Sequence, residues 1–153
     1  MLNRIIISVG FLSGILFSQT NVSGLISSNT TWSASGSPYT VTGNILVNSG
    51  VTLTIEPGVV IKFETDKYMK VEGYIYAVGT SQDSIIFQSN GSEEISYWDG
   101  IRIRSTAGSN IDSNQDYISG SRLKYVKIKH ADRGVYIYEA GLHISHSEFS
   151  TNQ

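Results

Sequence analysis

Pairs of tyrosines and long cations, each pair two residues apart, recur on short apolar segments of this 153-residue chain. They are Tyr74 and Tyr76, Arg102 and Arg104, Lys127 and Lys129, and Tyr136 and Tyr138. Residues i and i+2 of a strand share one face, so each pair presents both side chains to the same side. Flat phenol rings stack on sugar rings, and long cations hold carboxylate or sulfate groups. These eight residues therefore form a candidate binding surface for a polysaccharide or cell-surface glycan. The competing reading is that Tyr, Lys and Arg are ordinary outward residues of strands.

Catalytic chemistry is harder to place. Proton abstraction needs a basic residue, and glycoside hydrolysis needs two or three close carboxylates. Asp99, Arg102, Arg104, Lys127, Lys129, His130, Asp132 and Arg133 are the available groups. No carboxylate pair falls on adjacent repeats, and His130-Ala131-Asp132-Arg133-Gly134 has the composition of a turn. No catalytic residue is assigned, and the enzyme question stays open, with the reading of this segment leaning away from catalysis. Asp112-Ser113-Asn114-Gln115-Asp116 has the spacing that opens a calcium loop, which makes Asp112, Asn114 and Asp116 a weak calcium candidate. Tyr117 then replaces the turn glycine and Leu123 replaces the bidentate acid. No metal and no cofactor are assigned.

The elements that must carry these side chains recur at long range. Segments around Ile45, Leu53 and Val60 are followed by equivalents at Met69, Ile75 and Ile85 (offsets 24, 22 and 25). Three short β-branched strands per 22–25 residues make one coil of a parallel β-solenoid, which buries its inner face by stacking. Alternation places Ile45, Val47, Leu53, Ile55, Ile61, Phe63, Met69, Val71, Ile75, Ala77, Ile85 and Phe87 inward. The same rule places Ile101, Ile103, Val126, Ile128, Val135, Ile137, Leu142 and Ile144 inward.

Coils are expected from Tyr39 onward. The first runs from about Gly43 to Thr65 and the second from about Asp66 to Asn90. The third starts at Trp98, continues at Leu123 to Lys129 and closes at Gly134 to Tyr138, with insertions at 91–97 and 105–121. A fourth begins at Leu142 and stops at Gln153 in mid-coil. The chain thus reads as part of a longer protein, or as a short one whose open end pairs with another copy. Stacking in this register sets Glu72 beside Arg104, and His143 above Arg102. It sets Tyr74 and Tyr76 beside Lys127 and Lys129, and Tyr136 and Tyr138 next to Ile86 and Gln88.

Ahead of the coils, 19–38 is rich in Ser, Asn, Thr and Gly and reads as an irregular lead-in or N-terminal cap, with Trp32 as its apolar plug. Residues 1–18 read as a signal peptide: Arg4 near the start, an apolar run from Ile5 to Phe17, and Ser18 at the cut. Export to the cell surface or medium follows, with no membrane contact after removal. An uncleaved anchor or a first strand are the alternatives. The net charge of −2 and 16% charged residues exclude general nucleic-acid binding. The absence of cysteine excludes disulfides and thiolate metal sites.

Val51-Thr52-Leu53-Thr54-Ile55-Glu56-Pro57-Gly58-Val59-Val60-Ile61-Lys62-Phe63 resembles strings of secreted bacterial right-handed parallel β-helix proteins of the pectin-lyase-like superfold. Val71 to Thr80, Ile85-Ile86-Phe87 and Trp98-Asp99-Gly100-Ile101 are similar to the strings that follow in that group. The resemblance spans roughly residues 39–153 and implies an all-β, right-handed parallel β-helix. The fold hosts lyases, glycosidases, adhesins and structural repeats. The expected function is a binding or adhesion scaffold. The alternatives are the N-terminal part of a polysaccharide lyase or hydrolase with its active site elsewhere, and a passive stalk.

Overall fold

A computed structural model describes residues 19–91 and 97–152. The leader expected at 1–18 and most of the first insertion lie outside the described residues. The chain winds as a parallel β-helix with three faces.

The first coil is made by β1 (Thr20–Ile26), β2 (Thr30–Trp32) and the start of β3 (Tyr39–Val47). The second uses the end of β3, then β4 (Thr52–Ile55) and β5 (Val60–Phe63). The third comprises β6 (Tyr68–Val71), β7 (Tyr74–Val78) and β8 (Ile85–Ser89). After β9 (Gly100–Ile103) the chain leaves the coil as a hairpin, β10 (Asn110–Ile111) and β11 (Tyr117–Ser119). It returns through β12 (Arg122–Lys124) and β13 (Val126–Lys129). The last coil is β14 (Val135–Ile137), β15 (His143–Ser145) and β16 (Glu148–Ser150).

Face 1 stacks β3, β6, β9 and β14; face 2 stacks β2, β4, β7, β12 and β15; face 3 stacks β3, β5, β8, β13 and β16. The strand β3 serves two faces because it runs through a corner, its Tyr39–Val41 half pairing β5 and its Ile45–Val47 half pairing β6. All pairings between coils are parallel, and in-register columns such as Ile45–Met69–Ile101–Val135 fill the interior.

The inward set from Ile45 to Ile128 is buried as alternation requires. Val135 is half-buried and Leu142 packs partly against the core, while Ile137 and Ile144 are exposed because no described coil covers them. Trp32 is buried and stacks on Tyr39 at 5.0 Å. The stretch 19–38 is therefore no irregular lead-in: it holds two strands in parallel register with the coil that follows.

The later coils are divided differently from the sequence expectation. The run 122–129 is two strands on two faces. Tyr125, with φ 49°, turns the corner between them, and a single left-handed residue suffices. The coil that begins at β9, expected from the sequence to run on to Tyr138, closes at β13, so Gly134–Tyr138 opens the next coil on face 1.

Candidate functional site

Face 1 carries the strongest candidate. Trp98 is fully buried, stacks on Phe63 at 4.0 Å and donates its Nε1–H to the Lys129 carbonyl at 2.9 Å. It anchors the entry to β9 and with it Asp99. Gly100 has φ +99°, and a Cβ there would lie 1.7 Å from the Arg133 carbonyl oxygen. Only glycine lets the 133–134 corner lie against β9 in this way, which brings Arg133 beside Arg102 and Arg104.

In the β9–β14 register Tyr136 sits opposite Arg102 and Ile137 opposite Ile103. Asp99, Arg102, Arg104, Arg133, Tyr136 and Tyr138 line a hollow of 260 Å³. Three arginines face one aspartate in the lining, and counting Asp132 beside Arg133 the formal surplus is one positive charge. The Arg102 guanidinium is held by Asp99 and lies over the Tyr68 ring at 4.0 Å. Arg133 lies 5.9 Å from the Tyr136 ring and its Nε is 3.8 Å from Asp132. Arg104 lies 5.3 Å from the Tyr138 ring, has no acidic partner among the described residues, and has a buried Nε with no hydrogen-bond acceptor. Tyr136 and Tyr138 are 40% and 47% exposed, so their rings are accessible from solvent. A second hollow of 260 Å³, lined by Asp66, Tyr97, Trp98, Asp99 and Asp132, adjoins it through Asp99.

Four of the eight expected binding residues thus converge, namely Arg102, Arg104, Tyr136 and Tyr138. The expected Glu72–Arg104 pair is absent because Glu72, just past the end of β6, turns back to Lys70 of that strand, at 2.5 Å. Tyr136 and Tyr138 stand on face 1 beside the arginines, not next to Ile86 and Gln88, because the coil boundary falls before them. Lys127 and Lys129 stand on face 3. Lys127 lies between Ile86 and Glu148, 3.8 Å from the latter's carboxylate, and so does not neighbour the tyrosines of β7.

Tyr74 and Tyr76 stand on face 2, where Thr54, Tyr76, Arg122 and His143 form one outward column. His143 therefore belongs above Arg122, not above Arg102. Tyr117 of the hairpin lies on this column, 4.6 Å from Arg122, 5.6 Å from His143 and 6.3 Å from Tyr76 between centres. Burial raises the Tyr117 hydroxyl above its usual range, with Tyr76 adding to the rise and Arg122 opposing it. Arg122 and Tyr117 were missed in the sequence because neither shows its place until the 105–121 excursion is assigned a path.

The Asp112–Asp116 loop is the turn of that hairpin. Asp112 Oδ1 accepts the N–H groups of Asn114 and Asp116 at 2.9 and 2.8 Å, which accounts for the spacing as turn chemistry. Asn114 and Asp116 are exposed. Among the described residues no group of three or more His, Cys, Asp or Glu side chains is placed to hold a metal ion. His130, at φ 54°, turns the corner between β13 and β14. No helix among the described residues is long and apolar enough to cross a membrane.

Three faces of short parallel strands, a stacked aliphatic interior and loops leaving at the corners define the class: a parallel β-helix. A family model described as a pectate-lyase like beta helix domain matches residues 24–138, and the chain belongs to that family. Over 58 residues the chain is 43% identical to Protein bark beetle of Drosophila melanogaster. That match covers 38% of this chain and 2% of the fly protein, so the chain spans a small part of that relative. No solved structure matches the chain.

Proposed function

We propose that this domain is an exported or surface-displayed binding scaffold that holds an acidic polysaccharide in the face-1 hollow. The observation that carries the reading is Arg104. Its Nε is desolvated without an acceptor, in a hollow that has two accessible phenol rings and surplus positive charge. An unpaired buried donor of this kind costs about 1–3 kcal/mol, and a ligand carboxylate arriving at the guanidinium removes that cost. The single carboxylate of the hollow, Asp99, is engaged by Arg102, which favours holding over hydrolysis by paired acids. Export is supported by the leader-like composition of residues 1–18.

The test is retention on immobilised polygalacturonate. Arg104→Ala is expected to weaken retention about tenfold or more, since a charge-assisted hydrogen bond contributes roughly 1.5–3 kcal/mol. Its melting temperature should stay near that of the parent. Unchanged retention in the variant, or equal retention of the parent on a neutral glucan, overturns the reading.

A further inference from the structure

The hairpin between β9 and β12 has a fixed base and a lightly held arm. At the base, Ser109 donates its N–H to the Gly141 carbonyl at 3.0 Å, and its Oγ accepts the His143 N–H at 3.0 Å and donates to the Ser121 carbonyl. Gly120, at φ +94°, passes so close to Gly108 that a Cβ would lie 2.2 Å from the Gly108 oxygen. These contacts sew the base into the edge of face 2.

The arm, residues 110–119, behaves differently. Its hydrogen bonds among the described residues stay within the excursion, including that from the Tyr117 hydroxyl to the Gly120 carbonyl at 2.7 Å. Ile118 is 61% exposed, and most of the arm faces solvent. The Tyr117 ring is the one aromatic contact from arm to coils among the described residues, and it covers Arg122 and His143. Beneath it, Arg122 Nε and His143 Nδ1 are buried and have no hydrogen-bond partner. The docked Tyr117 thus lies against two side chains with buried, unpartnered polar atoms and supplies neither with a hydrogen bond, its hydroxyl going to the Gly120 carbonyl. A contact that leaves such groups unpaired is weakly held and easily exchanged for one that pairs them.

We propose that the arm is a lid and that Tyr117 is the built-in occupant of a second saccharide site on face 2, formed by Tyr76, Arg122 and His143. The ligand is a sugar ring bearing a carboxylate. Its ring takes the place of the Tyr117 phenol against Tyr76, its carboxylate accepts the Arg122 Nε–H, and a hydroxyl meets His143 Nδ1. The site rests on the reading of the domain as an acidic-glycan binder, but it uses none of the face-1 residues. While the arm is docked, the apparent affinity of face 2 is lowered by the fraction of molecules that are open.

The experiment measures oligogalacturonate binding by calorimetry in an Arg104→Ala background, which removes the face-1 anchor. Adding Tyr117→Ala should tighten binding about two- to fivefold, the range expected for losing one partly exposed cation–π contact that holds the lid shut. Adding Arg122→Ala should then abolish the gain. No gain from Tyr117→Ala, or a gain that survives Arg122→Ala, overturns the lid. Failure of the face-1 reading shows separately, as an Arg104→Ala change without effect in the intact chain. Hydrogen exchange on the unmutated protein gives a second readout that does not depend on the variants folding. Saturating oligogalacturonate should speed exchange at the amides of Tyr117 and Ile118, and slowed or unchanged exchange there contradicts displacement of the arm.

Discussion

Replacing Gly100 by alanine should injure both stability and the face-1 hollow, and Gly50 provides the control. Both glycines have positive φ, +99° and +77°. An L-residue in that region costs about 1–2 kcal/mol whatever surrounds it. At Gly50 nothing lies within 4 Å of the added Cβ, so Gly50→Ala should cost only this strain. At Gly100 the Cβ would sit 1.7 Å from the Arg133 carbonyl oxygen, and backbone cannot yield as a flexible side chain does. The 133–134 corner must move by more than an ångström, which breaks the Ile101 N–H bond to the Gly134 carbonyl, now 3.2 Å. That loss adds about 0.5–1.5 kcal/mol, and the forced shift of packed backbone adds about 1–3 kcal/mol. The sum is about 2.5–6.5 kcal/mol for Gly100→Ala against about 1–2 for Gly50→Ala. With a urea slope of about 2 kcal/mol/M, the midpoint should fall by about 1.3–3.3 M in the first variant and by about 0.5–1 M in the second. Urea titrations followed by far-UV circular dichroism measure both. Equal midpoints for the two variants would refute the close approach at Gly100.

Three other outcomes follow from the geometry. Trp98→Ala should destabilise by about 3–5 kcal/mol in the same titration, because it empties a fully buried indole site and leaves the Lys129 carbonyl without its donor. Lys127→Ala should leave oligogalacturonate affinity unchanged and stability within about 0.5 kcal/mol, since its pair with Glu148 on face 3 is solvent-exposed. Raising the pH through about 10 should favour the open arm. The docked Tyr117 hydroxyl has a raised pKa, so ionisation in the open state draws the equilibrium away from docking, and Tyr117→Phe should abolish this dependence in hydrogen exchange at Ile118.

Much of the architecture is legible in the residues, for a definite reason. Face alternation at Ile45/Val47, Met69/Val71 and Ile101/Ile103 is enforced by the pleat, so the inward set from Ile45 to Ile128 could be read directly and is buried. Corners are less legible when glycine or proline does not mark them. Glu56-Pro57-Gly58 announces its turn, whereas Tyr125 adopts φ 49° with nothing in its type to show it. Missing that corner joined β12 to β13 and delayed the start of the next coil. Tyr136 and Tyr138 were thereby assigned to face 3, and His143 was set over Arg102. The face-1 site was half visible: Arg102 and Arg104 were identified, and Asp99 and Arg133 were noted for their chemistry. Their convergence with two tyrosines depends on the approach of two coils at Gly100, which spacing within a single coil does not encode. The docking of Tyr117 on Arg122 depends likewise on the path of an excursion with no repeat to guide it.

The most direct test of the binding account is a titration of the isotopically labelled protein with oligogalacturonate, followed by backbone amide and arginine side-chain resonances. The account predicts that the largest shifts fall on Asp99, Arg102, Arg104 and Arg133–Tyr138, with the Arg104 Nε–H moving strongly as it gains its acceptor. Shifts confined to face 3 around Lys127 and Lys129, or none at saturating ligand, would contradict it.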